Sequence, residues 1–144
     1  MLLRRMLNEA LKSRLIKQLR LHEGVERFPY RDTVGKLTVG VGRNLTDKGL
    51  QDHEIDYLLT TDINEVVSAA DRYTWFGALT DNRKLVVVDM LFNLGQTRFE
   101  KFKRMIAAIE AADWEQASEH MLTSKWASQV KGRATTLATM MLNG

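Results

Sequence analysis

Leu21-His22-Glu23-Gly24 and, six residues on, Tyr30-Arg31-Asp32-Thr33-Val34-Gly35-Lys36-Leu37-Thr38-Val39-Gly40-Val41-Gly42 mark where the chain changes its backbone period. Upstream, Leu3, Met6, Leu7, Ala10, Leu11, Leu15 and Leu19 recur at helical spacing with cations mostly between them. Gly24 can end that helix, and Pro29 forbids easy continuation. Inside the quoted run, Tyr30, Thr33, Val34, Leu37, Thr38, Val39 and Val41 favour strands, while Gly35, Gly40 and Gly42 supply bends. The pattern predicts a small antiparallel hairpin or short sheet turning near Val34-Gly35.

Everything downstream reads as helix. Ile55, Leu58, Leu59, Ile63, Val66, Val67 and Ala70 predict a helix of about 20 residues from Asp52, long enough to link two lobes. Leu85–Leu94 is ambiguous, because Val86-Val87-Val88 favours a strand. Asp81 as a cap and Gly95 as a stop decide for helix. Three more amphipathic stripes follow, at Phe102/Met105/Ile106/Ile109, Trp114/Ala117/Met121 and Ala134/Leu137/Ala138/Met141. One small β region followed by helices only is an α+β protein with segregated elements. At 144 residues the chain is one domain's worth.

Composition removes several chemistries. With no cysteine there are no disulfides, thiolate metal sites or thiol nucleophiles, and the three histidines lie far apart, so neither a metal nor another cofactor is expected. No stretch approaches a membrane span, and charges interrupt every candidate apolar core of a secretory signal. The net charge of +3 is unevenly placed: residues 1–20 hold six cations against Glu9, leaving the remainder of the chain at −2. A nucleic-acid partner is therefore not expected, since a basic face and base-stacking motifs would accompany it.

Glu23 closes a helix, Asp32 enters a hairpin and Thr38 sits on its return strand. Two carboxyls on neighbouring rigid elements can be held across a cleft in different environments, as glycoside hydrolysis requires. The proton donor needs the less polar environment, and a hydroxyl beside the other acid can fix a water. Spacing alone also fits a solvated helix-end residue and a solvated turn residue.

Glu23-Gly24, Tyr30-x-Asp32-Thr33-x-Gly35 and Leu37-Thr38-Val39-Gly40-Val41-Gly42 resemble the signature of the phage-type lysozymes, glycoside hydrolase family 24. The likeness continues through Phe92-Asn93-Leu94-Gly95, Asp113-Trp114 and the segment Lys125-Trp126 to Arg133-Ala134, covering about residues 15–144. It implies a mostly helical, two-lobed lysozyme-like fold. It also implies an N-acetylmuramidase cleaving the β-1,4 bond between N-acetylmuramic acid and N-acetylglucosamine in peptidoglycan. By motif position Glu23 is the general acid, Asp32 its carboxylate partner and Thr38 the water-orienting hydroxyl. Asn44, Phe92, His120 and Arg133 fall at substrate-binding positions, with Arg133 close to Glu23, where burial must offset the effect of the cation. The family's T-even-type members are regarded as inverting, so an inverting reaction is implied here.

The departures from the pattern carry their own expectations. The histidine that follows the Gly-x-Gly pair in the family is Arg43 here, so the ion pair built there in relatives is expected to be absent. His120 and Met105 replace an asparagine and a serine of the groove, and a short Leu45–Glu54 segment predicts a smaller hairpin lobe. Residues 1–13 read as an extra basic amphipathic helix before a catalytic domain over 14–144. That domain has a β-containing lobe at about 25–60, and a helical lobe at about 70–144 to which the N-terminal helix belongs. The leucines of the extra segment either pack on the body or lay residues 1–20 on an anionic envelope surface.

Among the other signals, Asp89 inside its apolar run reads as a buried aspartate satisfied by hydrogen bonds or a cation. Trp114 and Trp126 read as core, Phe92 as core with an edge toward the cleft, and His22 as surface. The functional expectation is a monomeric endolysin, made in the host cytoplasm and reaching the wall through a separate membrane pore. A lytic transglycosylase needs the single acid more than a second carboxylate, and a glycan-binding module would not need Glu23, Asp32 and Thr38 intact.

Overall fold

A computed structural model describes residues 8–144 of the chain. The elements run α1 (Glu9–Glu23), β1 (Glu26–Arg31), β2 (Leu37–Gly40), β3 (Arg43–Asn44), α2 (Leu45–Lys48), α3 (Asp52–Asp71), α4 (Asp81–Leu94), α5 (Gln96–Glu100), α6 (Lys103–Glu110), α7 (Trp114–Leu122), α8 (Lys125–Val130) and α9 (Gly132–Asn143). This is the α+β order expected, with one small sheet near the N-terminus. The chain forms two compact units, the first ending at Ile55 and the second spanning Asp56–Gly144, and their boundary falls within α3.

In the first unit, Asn8 starts α1 by accepting the Leu11 N–H on its side-chain oxygen at 2.8 Å. Residues 9–13 run unbroken into the rest of that helix. Of the basic segment assigned to residues 1–13, residues 1–7 lie outside the described residues, and with them Leu3, Met6 and Leu7 of the stripe. Gly24 ends the helix at φ +77°, its N–H donating to the Arg20 carbonyl at 3.0 Å. No residue of α1 is buried, and Leu11, Leu15 and Leu19 each stay more than a third exposed.

The sheet is antiparallel in the order β1-β2-β3, with Thr38 opposite Tyr30 on one side and Asn44 on the other. Its hairpin turn falls where expected, with Gly35 at φ +83°. The first strand begins earlier than its residues suggest, because Pro29 lies inside it. That is tolerated since β1 is an edge strand whose register shifts between Glu26 and Tyr30. A residue without an N–H fits an edge and a bulge, where a ladder bond is not required.

The core belongs to the second unit, where Phe99, Met90, Met105, Met121, Met141, Val86 and Val87 are fully buried. On α4 the buried positions are Arg83, Val86, Val87, Met90, Leu91 and Leu94, a stripe of helical period running through the ambiguous valines. The cap is Thr80 rather than Asp81. The Thr80 hydroxyl accepts the Arg83 N–H at 3.3 Å, and Asp81 sits in the first turn, where its charge favours the helix N-terminus. α7 packs against α6 and α9, and α9 also packs against α4. Arg83 of α4 joins three of these helices: its Nε and Nη2 donate to the Met141 and Leu142 carbonyls of α9 at 2.8 and 3.0 Å, and its guanidinium lies 3.7 Å from the ring centroid of Trp114 on α7. A buried cation is thereby held by the carbonyl end of α9 and an aromatic face, although burial lowers its pKa. Trp126 is core as expected, its indole N–H donating to the Asn93 side chain at 2.8 Å, while Trp114 is only half-buried.

Candidate active site

Glu23 is the last residue of α1, and the Gly24 stop leaves its side chain at the helix end. Its Oε2 lies 2.9 Å from where a β-carbon on Gly42 would project. Gly42, at φ +70° between β2 and β3, is thus required for its backbone conformation and for the room it leaves the carboxylate. Gly42→Ala is expected to cost about 1–2 kcal/mol of stability from the left-handed backbone alone. It should also lower kcat by pushing Glu23 aside; thermal unfolding and turnover on the same preparation separate the two effects. Glu23 is exposed at the helix tip.

Asp32 follows β1 directly and locks the hairpin. Its Oδ1 accepts the Val34 and Lys36 N–H groups at 3.0 and 2.8 Å. Its own N–H donates to the Lys36 carbonyl at 2.9 Å, and its carbonyl accepts the Gly35 N–H at 3.0 Å. Both side-chain bonds go to Oδ1, which leaves Oδ2 without a protein donor among the described residues. Thr38, on the central strand, is 4% exposed and donates its hydroxyl to the Lys36 carbonyl at 3.0 Å. The Lys36 backbone therefore ties Asp32 to Thr38, a link that neither motif nor spacing announced. It also limits Thr38: with its proton committed, the hydroxyl meets a water as an acceptor.

Asn44, opposite Thr38, is occupied as a cap. Its oxygen accepts the Asp47 N–H at 3.0 Å and its amide donates to the Asp47 carboxylate at 2.9 Å. Arg43 makes an ion pair of its own within the first unit. Arg43 Nη1 meets Glu54 Oε1 at 2.7 Å, and the Gln51 N–H donates to the same oxygen at 2.9 Å. The Arg43 hydrogen bond first, then the Gln51 N–H, hold the Glu54 carboxyl down at about 2. Because the folded value lies below the unfolded one, the pair's contribution is complete above the ordinary carboxylate range and is lost as pH falls toward 2. Melting temperatures of wild type and Glu54→Gln should accordingly differ at neutral pH and converge on acidification to about that value.

The remaining candidates lie in the second unit. Arg133 is engaged by Asp89, with Nη2 and Nε at 2.6 and 2.8 Å from the same carboxylate oxygen. Asp89 has its cation, but it is not buried: its side chain keeps 40% of its exposure. The helical stripe of α4 explains this, since Asp89 falls beside the buried positions and not on them. Phe92 is likewise not core, being 44% exposed. Phe92, Asp89 and Arg133 line one cleft of about 430 Å³, with Leu59, Ile63, Leu85, Val88 and Met140 among its apolar walls. His120 is elsewhere, half-buried in a second cleft of about 300 Å³ beside Met105 and Phe102. Met105 itself is 1% exposed, a core residue where the family pattern has a groove serine.

A sequence model of the phage lysozyme family matches residues 20–140, which takes in Glu23, Asp32, Thr38 and every other candidate. The chain belongs to the phage lysozyme family. Among its relatives is the probable T4-type lysozyme 2 of Dictyostelium discoideum, 25% identical over 162 residues covering 92% of this chain and 95% of that protein. The SAR-endolysin of Escherichia phage Mu is 29% identical over 140 residues, 90% of this chain and 81% of its own. The pre-baseplate central spike protein Gp5 of Enterobacteria phage T4 is 24% identical over 90% of this chain but only 28% of that protein. Family membership makes the protein a lysozyme, a glycosidase whose substrate is peptidoglycan.

Proposed function

We propose that this lysozyme is an endolysin-type N-acetylmuramidase that hydrolyses the β-1,4 bond between N-acetylmuramic acid and N-acetylglucosamine by an inverting mechanism. The observation that supports it is the backbone link from Asp32 through Lys36 to Thr38, on the sheet whose Gly42 makes room for Glu23. Glu23, protonated, gives its proton to the bridging oxygen as the bond to the anomeric carbon breaks. A water attacks from the opposite face; Asp32 Oδ2 takes one of its protons and Thr38 accepts a hydrogen bond from the other. Those two acceptors leave a water lone pair for the sugar carbon, and the proton lost by Glu23 equals the proton gained by Asp32. Glu23 is exposed in the free chain, so the bound sugar rings are what exclude water from it. Asn44, Phe92, His120 and Arg133 serve substrate binding in this reading.

Digestion of purified peptidoglycan tests the proposal. New reducing ends on N-acetylmuramic acid, one water heavier than the strand, support it, and the α-anomer should appear first. Anhydro ends would reassign the protein to the transglycosylases, and intact strands would leave a glycan-binding role. The protein is made in the host cytoplasm and acts on the wall as a monomer after passage through a separate pore. Among the described residues no helix is long and apolar enough to cross a membrane. Lys12, Arg14, Lys17 and Arg20, beside the exposed leucines of α1, offer residues 1–20 to an anionic envelope surface.

A further inference from the structure

Tyr73 lies just beyond α3, its N–H donating to the Ala70 carbonyl at 3.0 Å, and Trp75 stacks on its ring with centroids 5.0 Å apart and planes 5° from parallel. The fully buried Phe99 meets the same ring at 5.9 Å, which anchors the stack in the core of the second unit. The Tyr73 hydroxyl donates to Glu100 Oε1 at 3.0 Å, and the Gln96 amide donates to that same oxygen at 3.2 Å. Burial first, then the Glu100 hydrogen bond, pushes the Tyr73 hydroxyl up to about 12, so it remains a donor at neutral pH. A carboxylate only accepts, and this fixes the Gln96 amide. Its nitrogen faces Glu100, and its Oε1 has no donor among the described residues. Gln96 also lines a cleft of about 170 Å³, together with Glu65, Val66, Ala69, Leu91 and Gly95. No cation lines that cleft, and it contains none of the candidate catalytic and substrate-binding residues.

We propose that this cleft and the Tyr73-Trp75 stack form a second, non-catalytic site for the N-acetylglucosamine units of the glycan. The inference rests on the muramidase reading, because that substrate alternates N-acetylglucosamine with N-acetylmuramic acid. At about 30 Å³ per water molecule, the cleft has room for an acetamido arm and not for a whole sugar with its substituents. The acetamido methyl sits against Val66, Ala69 and Leu91, and the acetamido N–H donates to Gln96 Oε1. The pyranose ring stays outside, on the exposed part of the half-buried Trp75, which Tyr73 holds flat. Burying the methyl and engaging an amide already oriented by Glu100 make the N-acetyl group the recognised feature. Glu65 in the cleft wall and Glu100 behind Gln96 decide between the two sugars. N-acetylmuramic acid carries a lactyl carboxylate that both acids repel, whereas N-acetylglucosamine is neutral. The site thus holds the enzyme on its insoluble substrate independently of the bond being cut.

Titration of the full chain with three monosaccharides, followed by NMR, tests the proposal. N-acetylglucosamine should shift the Trp75 indole N–H and the Gln96 side-chain amide signals together and to saturation. Glucosamine, which lacks the acetyl group, and N-acetylmuramic acid should each bind about tenfold more weakly, the loss expected of one hydrogen bond or one repelled charge. Gln96→Ala changes an exposed side chain and should abolish the Trp75 response. Trp75→Phe should keep the Gln96 response, and Trp75→Ala should lose it. Glucosamine binding as tightly as N-acetylglucosamine overturns the inference and gives the cleft to an ammonium ligand of Glu65 and Glu100. Signals that stay in place, or a Gln96→Ala variant whose Trp75 signal still shifts, overturn it as well. Saturation at Trp75 with no hydrolysis of peptidoglycan would sink the muramidase reading and leave the sugar site standing; hydrolysis with an unmoved Trp75 signal does the reverse.

Discussion

Glu23→Gln is expected to lower turnover on purified peptidoglycan by roughly 10²–10⁴-fold while leaving the folded protein intact. The amide matches the carboxyl in size and shape, so it fills the same space over Gly42, but it has no acidic proton for the leaving oxygen. Glu23 is exposed, so no buried charge is lost, and the melting temperature should stay near that of wild type because exposed substitutions change stability by only about 0.5 kcal/mol. Reducing-end release with thermal unfolding on the same preparation gives both readings. Gly42→Ala calibrates the result: it keeps the acid and moves it, so its loss of rate should be smaller while its loss of stability is larger. If Glu23→Gln retains more than about a tenth of the wild-type rate, proton donation belongs to another group.

What the residues alone announced is mainly local. Gly24 after Glu23, the Val34-Gly35 turn and the apolar spacing from Ile55 to Ala70 each act within a few residues, and each recurs in the structure. The triple valine of α4, ambiguous by pattern, was decided by its boundary residues Asp81 and Gly95, and the helix does end at Gly95. Pro29 was legible only as a bar to a longer helix; that it sits inside β1 depends on the strand being an edge with a shifted register, which is not local information. Asp81 and Thr80 are neighbours that can both cap, Asp being the better type, and only the backbone dihedrals at position 80 show that Thr80 does so. Pairs distant in sequence were out of reach: Arg43 finds Glu54 eleven residues on, and Arg133 reaches back to Asp89 across 44. The candidate catalytic residues were named by motif, whereas the Lys36 peptide that joins two of them is backbone chemistry, which side-chain identities do not encode.

Asp32→Asn is expected to reduce turnover by a comparable roughly 10²–10⁴-fold, and here the structure separates the catalytic role from the architectural one. The asparagine oxygen can keep both hairpin bonds that Oδ1 now accepts from Val34 and Lys36. The amide nitrogen then replaces Oδ2, presenting a donor where the attacking water needs an acceptor. The hairpin, and Thr38 with it through Lys36, should hold its geometry, so the melting temperature should barely move. Asp32→Ala should instead lose about 1–3 kcal/mol, the net value of two hydrogen bonds, together with activity. A protein in which asparagine works nearly as well as aspartate, while alanine unfolds early, would have Asp32 as a turn residue only. The proton would then have to leave the attacking water by another route, and Thr38 is not available for it, because its hydroxyl already donates to Lys36.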